Sequence, residues 1–346
     1  VLVSGLDGVV VADTSLSHVD GERGDLWIRG WRVEALAARG AFEDAVAVLW
    51  HGDVARAEEV AAALGAARVA MAPRVAEPRG PDAVTALRAA LAPLDGATPI
   101  ELVAAAGEAL VAWCAARRGR SAEAPDPRQP HAADLVRRLG AGPDPARATA
   151  FAAYLATVVD HGLNASTFAA RIVASTGSDD TSAVVAALGA LKGPLHGGAP
   201  GPVLDMLDAA GPDPEPWLRA ELAAGRRLMG MGHRIYRVRD PRVAVLEAAL
   251  ASLRAAGVDT PRWAHARRVE AAATALLAAH KPDRPLRANV EFATAVLLDV
   301  VGLPRAAFTG AFAAGRIAGW LAHADEQRRT GRLLRPSSRY VGPVPA

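Results

Sequence analysis

From Glu34 onward, apolar residues recur three and four positions apart, with alanine filling many of the places between. That spacing marks helices that bury one face, because 3.6 residues complete a turn. It predicts helices near 42–51, 54–70, 82–91, 99–117 and 145–160. Others follow near 166–175, 181–191, 203–209, 242–256, 263–280, 289–300 and 305–327. Proline- and glycine-rich stretches punctuate them, among them RSAEAPDPRQPH, GAGPDP, KGPLHGGAPGP, GPDPEP and KPDRP. The first 30 residues differ: rich in Val, Gly and Asp, they could supply two or three short strands. Two boundaries carry local physics. Gly162 fits the left-handed position after a helix, which places His161 in the last turn, and Ser166 can cap the helix that follows.

With 346 residues, 51% of them hydrophobic, the chain has ample material for a sizeable core in one large domain or two ordinary ones. Aromatic residues make up only 5%, whereas alanine, the best helix former, fills about 80 positions. A sheet-dominated fold and a disordered chain are both excluded on these grounds. The 39 basic and 37 acidic residues nearly balance, and no long basic run interleaved with aromatics occurs, so no nucleic-acid partner is expected. Lys192 and Lys281 are the only lysines; the remaining positive charge is arginine, which grips carboxylates and phosphates better. Cys114 stands alone in ELVAAAGEALVAWCAAR, which rules out a disulfide within the chain and reads as a small core residue in a reducing compartment. No uninterrupted apolar run reaches the roughly 18 residues that span a bilayer, and nothing resembles a signal peptide, so the expectation is a cytoplasmic protein without a membrane partner.

Chemistry-bearing residues concentrate in three segments. In KGPLHGGAPGPVLDML, His196 lies between prolines and glycines just before a helix expected to begin near Pro202 or Val203; it is either a turn histidine or a functional one. In RRLMGMGHRIYRVRDPR, Gly230 and Gly232 prevent a regular helix before His233, and Asp240 and Pro241 mark a helix start before Arg242. One imidazole and four arginines within ten residues make either a solvated basic loop or a site for an anion, and the second reading is favoured. In the third segment Glu291 opens an apolar helix, and Arg316 sits in AAGRIAGW with almost no polar neighbours. A buried arginine needs an anion, supplied by the protein or by a substrate. Arg335 follows in LLRPSSRY. No metal template is present: HExxH and CxxC are absent, as are GxGxxG, GxxxxGK[ST] and GxSxG.

Five segments in order, HGLNASTFAARIVAST, LKGPLHGGAPG, MGMGHRIYRVRDPR, NVEFATAVLL and AAGRIAGWLAHADEQ, resemble the citrate synthase family, including its 2-methylcitrate synthases. The resemblance implies a mainly α, two-domain helical fold with a short N-terminal β segment. Residues 1–196 and 301–346 would form the large domain, and 197–300 a small domain closing over the active site. It implies condensation of an acyl-CoA, acetyl-CoA favoured, with oxaloacetate, followed by thioester hydrolysis to citrate and CoA. His196 matches the histidine that hydrogen-bonds the thioester oxygen, and His233 the one that polarises the oxaloacetate carbonyl. His161, Arg242 and Arg316 match residues that hold oxaloacetate. Arg335 matches an arginine reaching across a homodimer interface into a shared active site. Leu228, Met229, Gly230, Met231 and Gly232 match the loop beside the CoA adenine. No permanently bound cofactor or metal is implied; the CoA thioester is substrate.

One departure stands out: the family's basic aspartate, usually in NVD, is Glu291 here. A carboxylate of similar basicity remains, but an extra methylene shifts it by more than about 1 Å, and misplacement on that scale can cost about 100-fold in rate. Three expectations follow: a backbone retracted to suit Glu, another acyl-CoA such as propionyl-CoA, or a weakened paralogue that binds CoA or a di-acid in a regulatory or assembly role. Gly162, where an acidic residue is common, and Pro200, where Asn or Asp is common, are milder departures.

Overall fold

The computed structural model describes residues 4–6, 8–75, 78–194, 196–197, 200–232, 236, 238–258, 261–280 and 286–343. The Val- and Asp-rich start folds into an antiparallel sheet of β1 (Ser17–Asp20), β2 (Asp25–Ile28) and β3 (Trp31–Arg32), in that order, with Ser17 opposite Ile28 and Trp27 opposite Arg32. Leu26 and Ile28, two apart, fall on one face and are fully buried.

Helices form nearly everything else: α1 (Val33–Ala37), α2 (Phe42–His51), α3 (Ala57–Met71), α4 (Ala83–Leu91), α5 (Pro99–Arg117), α6 (His131–Val136), α7 (Pro145–Val158) and α8 (Ala165–Ser175). Then come α9 (Asp180–Leu191), α10 (Pro200–Ala210), α11 (Glu215–Ala223), α12 (Pro241–Ala255), α13 (Pro261–His280), α14 (Val290–Val301) and α15 (Phe308–Thr330). Every helix expected from apolar spacing is present, some shifted at an end: α10 starts at Pro200, ahead of the anticipated Pro202 or Val203. Three helices, α1, α6 and α11, were not anticipated. Two of them follow directly on Pro130 and Pro214, where proline serves the helix start instead of breaking the chain. Aspartates repeatedly fix the starts by accepting backbone N–H groups, as Asp82, Asp144, Asp179 and Asp240 do.

The centre of the molecule is α15, buried along most of its length and packed against α5, α7, α8 and α9. Its glycines set the spacing. A Cβ on Gly315 would lie 2.7 Å from Val158 Cγ2, and one on Gly319 would collide with the carbonyl oxygen of Val159. The end of α7 therefore lies directly on α15, at the level of Arg316. By length and apolar character α5 could also cross a membrane, although Glu101 and Glu108 interrupt it; most of it is buried inside the protein, as in a core helix.

A buried ionic cluster ties α3, α5 and α6 together at some remove in sequence from the motifs above. Arg138 makes a two-pronged pair with Glu108 at 2.6 Å and also reaches Asp134 at 3.2 Å; Arg68 meets Asp134 at 3.2 Å. Elsewhere α10, α11, α13 and α14 pack on one another, and α12 lies between α14 and α7.

Candidate active site

The site is built where the chain leaves α7. The helix ends at Val158, so His161 stands three residues beyond its last turn and not inside it, while Gly162 takes the expected left-handed conformation at φ 61°. Asn164, not Ser166, caps α8: its Oδ1 accepts from the backbone N–H groups of Ser166 (3.1 Å) and Thr167 (3.2 Å). The reason is positional. Asn164 precedes the helix in extended backbone, whereas Ser166 is already its second residue and donates to the cap.

Freed from capping, the Ser166 hydroxyl becomes a site group. It accepts from Trp320 Nε1 at 3.2 Å, donates to Asn164 Oδ1 at 2.8 Å and lies 2.8 Å from His196 Nε2. The hydroxyl has one proton to offer. When that proton goes to His196 Nε2 instead, the neutral imidazole carries its own on Nδ1 and can donate to a ligand. Burial, helped by the Arg316 cation, brings the His196 pKa down to about 4, so the ring is neutral at physiological pH.

His161 is buried and lies 3.0 Å from the Tyr236 hydroxyl through Nε2, with the rings edge to face at 5.7 Å. Behind it Asp160, fully buried, accepts from Ser17 Oγ, from Gly162 N at 3.3 Å and from His323 Nε2 at 3.2 Å. Burial alone would raise its pKa, but His323, with Arg316 and Ser17, holds it at about 2. His323 Nδ1 in turn accepts from Arg171, which reaches Glu326 and Gln327.

Arg242 is buried and paired with Asp240 through two parallel hydrogen bonds of 3.0 and 2.7 Å. Burial works against its charge, but the Asp240 carboxylate outweighs that and raises the guanidinium's pKa. Arg316 is different. Its Nε donates to Val158 O at 2.5 Å and it lies over the Phe312 ring, 4.7 Å from the centroid, yet Nη2 is buried without a partner among the described residues. Burial lowers its pKa to about 10, and the nearby Arg242 charge adds to the effect while Asp160 opposes it. Glu291, in the first turn of α14, likewise has a buried Oε2 without a partner among the described residues. Burial raises its pKa, partly offset by the Arg242 cation.

The loop 228–232 is fastened to the start of α14. Met231 bridges to Ala288, Gly232 N donates to Arg287 O at 2.7 Å, and Asn289 donates from N to Gly230 O and from Nδ2 to Gly232 O, both at 2.9 Å. Asn289 also caps α14 through Phe292 N. Gly230, at φ 72°, lets the loop lie against Phe292: a Cβ there would be 2.9 Å from the Phe292 Cβ.

The structure thus gathers His196, Arg242, Glu291 and Arg316 into one electrostatic neighbourhood and sets the 228–232 loop against the helix that carries Glu291. His233 lies outside the described residues. Arg335 is exposed in the irregular segment after α15 and makes no hydrogen bond or ion pair with the described residues, so the single chain does not bring it into the site. Sequence reasoning gave Ser166 only a capping role and missed Trp320, Tyr236, Asp160 and His323. No spacing rule connects residues this far apart in the chain.

On a mainly helical chain with a small N-terminal sheet, His196, Arg242, Arg316 and the buried Glu291 carboxylate thus act on one another close to the junction of α7 and α15. The family model described as citrate synthase, C-terminal domain, matches residues 5–337, and the chain belongs to the citrate synthase family. It is 35% identical to a citrate synthase of Haloferax volcanii, over 99% of this chain and 96% of that one. It is 36% identical to a 2-methylcitrate synthase of Mycobacterium tuberculosis, over 98% and 90%. Among solved structures it resembles the citrate synthase of Thermoplasma acidophilum in its ternary complex with carboxymethyl coenzyme A and oxaloacetate; the TM-score is 0.87 at 25% identity, covering 99% of this chain and 96% of that one.

Proposed function

We propose that this protein condenses acetyl-CoA with oxaloacetate and hydrolyses the resulting thioester to citrate and CoA. The observation that carries the reading is a pair of buried atoms without a partner among the described residues, Glu291 Oε2 and Arg316 Nη2, beside an imidazole held neutral. A base and a cation that the described residues leave unsatisfied suit a substrate that brings both an acidic C–H and a carboxylate.

The steps follow from the residues. The Glu291 carboxylate takes a proton from the carbon next to the thioester, and its raised pKa makes it a stronger base than an exposed glutamate. Charge that develops on the thioester oxygen is met by the His196 Nδ1–H, fixed from behind by Ser166. The enol carbon then attacks the 2-oxo carbon of oxaloacetate, a C–C bond forms, and the former carbonyl oxygen takes a proton from His233. Water cleaves the thioester, which leaves the new carboxylate and the CoA thiol. Arg316, Arg242 and His161 hold the oxaloacetate carboxylates, with Arg335 reaching in from a second copy of the chain. Residues 228–232 receive the CoA adenine, and residues 197–300 close as a small domain over the bound substrates.

Purified protein supplied with oxaloacetate and a panel of acyl-CoAs tests this by release of free thiol and identification of the product. Release is expected fastest with acetyl-CoA. Preference for propionyl-CoA would make the protein a 2-methylcitrate synthase, and no release from any acyl-CoA despite CoA binding would overturn the enzymatic reading in favour of a binding role. Sedimentation alongside activity tests the shared site: a fully active monomer would contradict the role given to Arg335.

A further inference from the structure

We propose that the Tyr154 hydroxyl is a further substrate-binding group, donating a hydrogen bond to the same oxaloacetate carboxylate that Arg316 pairs with. This rests on the function proposed above. Tyr154 lies on α7 one turn before Val158, whose carbonyl accepts from Arg316 Nε, so the two positions share a helix face. Its side chain is fully buried, with the ring stacked on Phe151 at a centroid distance of 6.1 Å. The hydroxyl oxygen has no hydrogen-bond partner among the described residues. Buried tyrosines ordinarily find a partner for that group, and phenylalanine would serve as well if packing were the whole requirement.

The charged groups that act on the hydroxyl are Arg316, then Glu291, then Arg242, all members of the candidate site. Burial keeps the phenol protonated, so it is available as a donor. Arg316 offers it nothing in return, because a guanidinium has no lone pair to give. The chain thus presents two buried donors, Tyr154 Oη–H and Arg316 Nη2, with no acceptor among the described residues satisfying either. One carboxylate has lone pairs enough for both. The other acceptor within the cluster is Glu291, and a hydroxyl bound there would steady the base instead of the substrate.

Tyr154→Phe keeps the ring and removes the donor. Calorimetric titration with oxaloacetate, without acyl-CoA, should show affinity weakened about ten-fold, the loss expected for one hydrogen bond to a charged group. In turnover the KM for oxaloacetate should rise to match, while kcat and the KM for acyl-CoA change less than about two-fold. The thermal midpoint should not fall, since the variant removes a buried hydroxyl that has no partner among the described residues. A second variant guards the result: combined with Arg316→Gln, the loss should be smaller than the product of the two single losses, because both groups hold one carboxylate. Unchanged oxaloacetate affinity in Tyr154→Phe would overturn the proposal. So would a fall in kcat with a displaced acid limb of the pH profile, which would assign the hydroxyl to Glu291. Wild-type protein that binds oxaloacetate but releases no thiol would refute the condensation reading and leave the titration to decide on Tyr154; wild type that binds no oxaloacetate would refute both.

Discussion

Shortening Glu291 by one methylene gives a direct measure of how tightly the site is built around it. Glu291→Asp draws the carboxylate back by about one C–C bond, roughly 1.5 Å. Whether the enzyme can absorb that depends on whether α14 can advance to compensate. The structure argues that it cannot: Asn289 pins the helix start to Gly230 and Gly232, and Phe292 already sits against Gly230 with no room for even a Cβ between them. The base is therefore misplaced by more than 1 Å, and kcat should drop about 100-fold with little change in either KM. Glu291→Gln, which removes the base, should lose at least as much and at the same time stabilise the protein. The sign follows from linkage. A carboxyl whose folded pKa is raised above its unfolded value favours folding in acid, and that advantage is lost as pH rises through the folded pKa. At neutral pH the buried charge thus works against the fold, and the glutamine variant should melt higher there, with the difference closing in acid. Steady-state thiol release and thermal melts at pH 7 and pH 4 read both effects. A gain in turnover for Glu291→Asp would refute the reasoning, because it would mean the natural glutamate is the misplaced residue.

Three other perturbations follow from the geometry. The His196 pKa of about 4 lies below that of an unfolded histidine, so its contribution to stability is present at neutral pH and is lost as pH falls from about 6.5 toward 4; His196→Gln should flatten that part of the stability–pH curve, measured by urea melts. Gly319→Ala forces a methyl into the Val159 carbonyl and should destabilise by about 1–3 kcal/mol while raising the KM for oxaloacetate, since the segment displaced leads to Asp160 and His161; unchanged kinetics would show that the junction tolerates movement. Glu108→Ala leaves Arg138 buried without its two-pronged partner and should cost about 3–5 kcal/mol in chemical denaturation, with KM values of the folded enzyme unchanged.

Most of the architecture was legible in the sequence because alanine-rich helices declare themselves by period, and α2 and α5 fall on their anticipated residues. Helices α6 and α11 escaped because proline ends one element and begins another with the same letter. The motif histidines and arginines stood out by their punctuation. Their supports did not. Asp160 meets Ser17 and His323 across 143 and 163 residues, a closeness that exists only once α7 lies on α15. Tyr154 reads in sequence as any aromatic on a helix face; only the structure shows its buried hydroxyl without a partner among the described residues. Ser166 was recognised but given the wrong task, since the choice between it and Asn164 as cap turns on a shift of two residues in where the helix begins.

The fastening of residues 228–232 to the start of α14 has a bearing on the order of events. Because Asn289 holds the loop with its backbone and amide and begins the helix with its carbonyl, the loop and Glu291 form one mechanical unit. Any shift that the nucleotide end of a CoA thioester imposes on the loop is passed to the base within two residues. On the role proposed for this loop, a short acyl donor lacking that nucleotide would leave Glu291 unmoved, and the handle of the substrate, far from its reactive carbon, would report the right cargo to the base.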